Sequence, residues 1–279
     1  MTHPAPHHPR SAEGHASLPA EPLPDALLNT LVTELDNDYI VGITLGGSYV
    51  RGEATPYSDV DLACWVKDAV NLSPKRFVYR DNRLISIGTK TVTAVREDLS
   101  KPERAILFVA GQRRVLLDKD GSVTRLVQEV ASFTWEPLQP AANQFASFRM
   151  MLLAEWVHKI LSGLFTHDEL ALSFVISEFF FSLTEAVAVQ RGILIKSGST
   201  YYRQVQDAIG QDSAWTHYHR QVAGVDPIPA EVTPVIARSI TSLHLYQETV
   251  ALLRPILQPE HLAIAEQALL VAQQAHLHQ

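Results

Sequence analysis

The stretch LGGSYVRGEATPYSDVDL, residues 45–62, decides how this chain folds and where its chemistry lies. Residues 40–45 before it are apolar and β-rich, so the stretch opens at the end of a strand. Gly46, Gly47 and Ser48 follow at once. Glycines there let backbone approach a phosphate closely, and the N–H groups of a following helix can receive it. The Ser48 hydroxyl adds one more donor. After ten intervening residues come Asp59 and, two further on, Asp61. Acidic and apolar residues alternate from Asp59, and the apolar run continues to Val66, which predicts a second strand. Both aspartates leave its same face. Two carboxylates side by side repel unless a cation lies between them. Mg²⁺ favours oxygen ligands and bridges carboxylates to substrate phosphates. The combination reads as a site for metal-assisted phosphoryl or nucleotidyl transfer.

Working outward, residues 25–36 read as an amphipathic helix before the first strand. Residues 77–79 and 84–87 flank Asp81-Asn82 and predict a hairpin. Residues 102–110 predict a short helix, 114–117 a strand and 121–133 a helix, with DKDG at 118–121 as the turn between the last two. Beyond the proline-bearing segment 135–140 the chain reads as helical. Helices are expected over 142–164, 166–191, 201–209, 233–257 and 260–275. At roughly 100–200 residues per domain, 279 residues allow one domain or two. The pattern divides them into a disordered tail over 1–23, a catalytic-type α/β domain over 24–136 and a helical substrate-binding domain over 141–279. The tail carries His3, His7, His8 and His15 among prolines and cannot supply a core.

Composition sets outer limits. The formal net charge of −7 argues against broad nucleic-acid binding, as does the lack of an evident basic, aromatic-studded surface. The single cysteine, Cys64, excludes an internal disulfide framework and points to a reducing, cytoplasmic setting. Mid-strand, it reads as a small buried hydrophobe. No apolar run reaches the ~20 residues of a membrane span; the nearest, 171–189, is broken by Ser177, Glu178, Ser182 and Glu185.

The arrangement Gly-Ser, ten residues, Asp-x-Asp resembles the signature of the nucleotidyltransferase superfamily with the DNA polymerase β-like catalytic fold. The helical half makes it look like the small-molecule branch, which includes aminoglycoside and lincosamide nucleotidyltransferases. The resemblance implies an α+β fold, a mixed β-sheet with flanking helices followed by an α-helical bundle. It implies that Gly47 and Ser48 hold a nucleoside triphosphate, ATP by default. It implies that Asp59 and Asp61 bind one or two Mg²⁺ ions. Arg51, Gly52 and Ser58 fit the usual dress of the motif around the nucleotide. The implied reaction transfers AMP to a hydroxyl of a small acceptor, such as an aminoglycoside-like antibiotic, and releases pyrophosphate. A homodimer is compatible with this reading.

One departure stands out. The family often places a third carboxylate on a neighbouring strand, and the matching position here is Ser86. Glu97 or Asp98 could take over. A nucleotide-binding or regulatory protein without turnover is therefore an alternative, as is a protein-modifying nucleotidyltransferase. From the helical half, Glu155 is the candidate general base, although Lys159 four residues on could hold it in a plain surface pair. Glu178 and Glu185 could bind a cation or act as base. Lys196 and Arg203 could meet the leaving pyrophosphate. His217 and His219 lack a third ligand for zinc.

Overall fold

The computed structural model describes residues 22–68, 75–229 and 231–276. Residues 1–21 of the tail, with its four histidines, lie outside them, whereas Leu23 packs against the core of the sheet. Alternating sequence becomes strand where expected: β1 (Ile40–Gly46), β2 (Val60–Val66), β3 (Lys75–Arg80), β4 (Arg83–Lys90) and β5 (Arg114–Asp118) form one sheet in the order β3-β4-β2-β1-β5. Strands β1 and β2 pair antiparallel, as do β1 and β5, and β3 and β4. Asp81 and Asn82 both take positive φ, 48° and 59°, as a two-residue type I′ hairpin turn requires. That turn fixes the register Phe77↔Ser86 and Tyr79↔Leu84.

One face of the sheet is covered by α1 (Asp25–Leu35). Leu27, Leu28, Leu31 and Leu35 are its buried stripe, and they join Ile43, Leu45, Leu62, Cys64, Ile85 and Ile87 in one cluster. Strand parity then assigns the opposite face. Asp61 pairs with Gly46 and Ala63 with Thr44, so Asp61 and Thr44 lie on the face away from α1. Trp65 lies there too and donates its Nε1–H to Thr44 Oγ1 at 3.0 Å. Because Ile85 and Ile87 belong to the α1 side, Ser86 faces the same way as Asp61. By the hairpin register, so do Lys75, Phe77 and Tyr79. Arg76, Val78 and Arg80 face the α1 side, and Arg80 reaches Glu34 of α1 at 3.4 Å.

The chain divides into two compact units. One holds the chain to Thr89 with Arg113–Lys119; the other holds Lys90–Gln112 and the chain from Asp120. Thus α3 (Val92–Leu99), α4 (Pro102–Phe108) and α5 (Ser122–Ala131) group with the helical part, whereas the sequence reading placed them with the sheet. The short α2 (Gly47–Arg51) stays with the sheet. In the helical unit, a bidentate pair at 2.7 and 2.9 Å ties Arg96 of α3 to Glu129 of α5. Its core forms on α6 (Gln139–Thr166) and α7 (Glu169–Gln190). A Cβ on Gly163 would sit 2.7 Å from Leu172 Cδ2, so only glycine lets these helices approach so closely there. The helix α7 is long and apolar enough to cross a membrane by length and composition alone, which the sequence reading did not credit. Most of its apolar window is buried inside the protein.

The remaining helices are α8 (Tyr201–Ile209), α9 (Ala214–Val222), α10 (Pro234–Leu253) and α11 (Pro259–His276). Helix α9 has no counterpart in the sequence reading. Its sequence, AWTHYHRQV, is short and polar, but Ser213 caps it through the Thr216 N–H and Trp215 and Val222 anchor it.

Candidate active site

The site is built where β1 ends and β2 begins. Gly47 takes φ +71°, and a Cβ on it would lie 2.2 Å from Asp61 Oδ2. Backbone and carboxylate therefore meet at a distance that only glycine permits. Burial, and then the negative charge of Asp59, raise the Asp61 pKa above the ordinary carboxylate value. Three groups oppose that rise: the Lys75 ammonium, a side-chain hydrogen bond from Ser86, and the Arg113 guanidinium. The Ser86 hydroxyl, 2 % exposed, thus donates to the carboxylate at the position where a third carboxylate was expected.

Lys75 and Arg113 were not singled out from sequence. Arg113 immediately precedes β5, and its guanidinium carbon stands 6.0 Å from the Trp65 ring centre. Burial lowers its pKa below the usual guanidinium value, while the nearby Asp61 charge works the other way. Lys75 opens β3, with its Nζ 4.8 Å from the Phe77 ring centre. Strand parity was the available signal for Lys75. Arg113 had none, because its side chain is placed by the neighbouring strand rather than by a motif.

The other motif residues shape the loop. The carbonyl of Ser48 accepts the Glu53 N–H at 3.0 Å. Arg51 donates its Nε–H to Glu53 at 2.7 Å. Ser58 Oγ accepts the Thr55 N–H at 2.8 Å, closing the turn that delivers Asp59 to the strand.

The donor set fits a hard dication. Asp59 and Asp61 offer only oxygen, and their mutual repulsion is the tension such an ion relieves. Among the described residues, no group of three or more His, Cys, Asp or Glu gathers as a metal site. Two carboxylates suit Mg²⁺, which commonly completes its shell with phosphate oxygens and water.

The candidates of the helical unit divide sharply. Glu155 is exposed and pairs with Lys159 at 2.9 Å, the surface arrangement that the spacing allowed. Glu178, Arg203 and His217 are exposed. His219 is 0 % exposed and is a core residue. Gln206 Nε2 lies 2.9 Å from its Nδ1, and Thr184 Oγ1 lies 3.1 Å from its Nε2. The Thr184 hydroxyl is already committed to the Phe180 carbonyl, so the ring is neutral with its proton on Nε2. Trp215 stacks on it at 4.6 Å, and burial lowers its pKa to about 3. Glu185 is half-buried and pairs with Arg149 at 2.7 Å. Burial raises its pKa, and Arg149 opposes that rise. Glu185 joins Lys196, Tyr201, Tyr202 and Phe181 around a cavity of about 390 Å³. The turn at Asp120 is confirmed by its side chain accepting the Ser122 N–H at 2.9 Å.

Among known families, residues 28–119 match the model of the nucleotidyltransferase domain. No curated protein matches the chain. A nucleotidyltransferase-like protein from Exiguobacterium sibiricum 255-15 is similar in structure at 14 % identity and a TM-score of 0.49. The similarity covers 83 % of this chain and 77 % of that one. Gly47, Asp59, Asp61 and Ser86 all lie within the residues that match the nucleotidyltransferase domain model.

Proposed function

We propose that the protein transfers a nucleoside monophosphate, AMP from ATP, to a hydroxyl of a small molecule. The close approach of Gly47 to Asp61, beside Asp59, carries this reading. Gly47 and Ser48 would receive the triphosphate, with Arg51 and Ser58 holding the loop around it. Asp59 and Asp61 would hold Mg²⁺, which when bound neutralises phosphate charge. The acceptor oxygen bonds to the α-phosphorus, and the bond from that phosphorus to the β-phosphate bridging oxygen breaks. Pyrophosphate leaves. The acceptor hydroxyl gives its proton to water as its oxygen bonds to phosphorus.

Ser86 supports a second reading, nucleotide binding without turnover, because a buried hydroxyl stands where a third carboxylate would stand. Pyrophosphate release from Mg-ATP over a panel of hydroxylated acceptors separates the two. The transferase reading expects release that falls about a thousandfold or more in Asp59→Asn/Asp61→Asn, with a melting temperature no lower than that of the wild type. Equal turnover by that variant overturns it. Nucleotide binding without release on any acceptor selects the second reading.

A further inference from the structure

Strand β3 reverses the polarity that folding alone would choose. Its positions on the α1 side carry Arg76, Val78 and Arg80, whereas its positions on the Asp61 side carry Lys75, Phe77 and Tyr79. Phe77 is 55 % exposed and Tyr79 is 71 % exposed. Exposed edges of sheets are ordinarily blunted with charge, and large aromatic rings are ordinarily buried. Here two rings stand in the open, about 6.8 Å apart along one strand, on the face that carries the carboxylates.

Their place follows from the sheet order. Gly47 meets Asp61 from the β1 side, and Ser86, then Phe77, lie on the other side. With the triphosphate received at Gly47, pyrophosphate leaves toward β1. Phosphoryl displacement keeps attacking and leaving oxygens roughly in line. The attacking hydroxyl therefore comes in over β4, and the body of its molecule extends over β3. Strands lie about 4.8 Å apart, so rings on β3 stand about 10 Å from the Asp61 strand. That is the length of a molecule with its reacting hydroxyl over Ser86 and a ring one or two bonds beyond it.

We infer that Phe77 and Tyr79 form the acceptor subsite, and that the acceptor is a small hydroxylated molecule bearing a planar ring. The ring stacks on the two side chains. The Lys75 ammonium stands over the Phe77 ring and would meet an electronegative substituent at the edge of the acceptor ring. This rests on the transferase reading for the direction of attack, and it deepens that reading by naming what the acceptor must carry.

A matched pair of probes tests it: 4-nitrophenyl β-D-glucopyranoside and methyl β-D-glucopyranoside, which share hydroxyls and differ in the ring. Each is titrated by saturation-transfer NMR against the full chain with Mg²⁺ and a nonhydrolysable ATP analogue. The nitrophenyl glycoside should bind tighter, with saturation strongest on its ring protons. Phe77→Ala/Tyr79→Ala should weaken it roughly five- to tenfold, while Phe77→Tyr/Tyr79→Phe keeps the affinity. Both pairs alter exposed side chains, and unchanged affinity for the ATP analogue reports an intact nucleotide site. Equal binding of the two glycosides, binding of neither, or indifference to the alanine pair overturns the assignment. So does a dimer that the alanine pair converts to monomer with no change in probe binding. Failure of the wild-type chain to bind the ATP analogue counts instead against the transferase reading.

Discussion

Asp61 and His219 are both titratable groups pulled out of water, one in each compact unit, and their surroundings treat them in opposite ways. His219 has a donor for its bare nitrogen, an acceptor for its proton and an aromatic ring against its face. Nothing about it is left to satisfy, and it works as a core residue. Asp61 is held against a like charge and against a glycine backbone that admits no side chain. Its tension is relieved only in part by Ser86, Lys75 and Arg113. A buried group whose hydrogen bonds close is architecture. One whose burial and repulsion are only partly offset has the kind of surroundings in which functional carboxylates are found.

The largest break in this contrast should come from Gly47→Ala. The new Cβ would collide with Asp61 Oδ2 in a backbone conformation unfavourable to alanine. Catalytic carboxylates displaced by about an ångström lose about a hundredfold in rate. Nucleotide affinity and pyrophosphate release should fall together, with the helical unit unaffected by hydrogen exchange.

His219→Leu should do the reverse, lowering stability by about 2–3 kcal/mol while nucleotide affinity stays. Its pH signature is specific. The unfolded imidazole titrates near 6.5 and the folded one near 3, so between those values the unfolded chain binds more protons. Stability from this group is full above 6.5 and is lost as pH falls toward 3, by about 1.4 kcal/mol per pH unit at most. Urea unfolding at pH 7 and pH 5 should show a slope in the wild type that the leucine variant lacks.

Ser86→Asp sharpens the comparison from the other side. A third carboxylate buried beside Asp61 should cost about 1–3 kcal/mol without a metal. Millimolar Mg²⁺ should recover it, read as a melting temperature that now depends on the ion. The smallest effect belongs to Glu155→Gln, which removes an exposed pair worth about 0.3–0.5 kcal/mol. Turnover should stay within about twofold of wild type, and a larger loss would return Glu155 to the reaction.

These contrasts also show how far the residues speak for themselves. The Gly-Ser and Asp-x-Asp stretch could be read because its spacing is local and each part has a backbone reason. Strands and long helices could be read from alternation and from apolar stripes. The burial of His219 could not, because the groups that satisfy it come from α7, α8 and α9, as many as 35 residues away. Arg113 was invisible for the same reason. Phe77 and Tyr79 passed as ordinary hairpin residues until the register showed which face they share.

That register hangs on two small residues. With Asp81 and Asn82 both at positive φ, the turn sets the pairing of every residue that follows it on β4. Ile85 and Ile87 hold β4 in the core, so lengthening the turn by one residue would shift the edge strand β3 by one place and reverse its faces. Arg76 and Val78 would then stand beside Ser86, and Phe77 and Tyr79 would turn toward the α1 side. Every residue of the site would still be present, yet the acceptor subsite would be gone. Its identity is held as much by the length of a loop as by the side chains themselves.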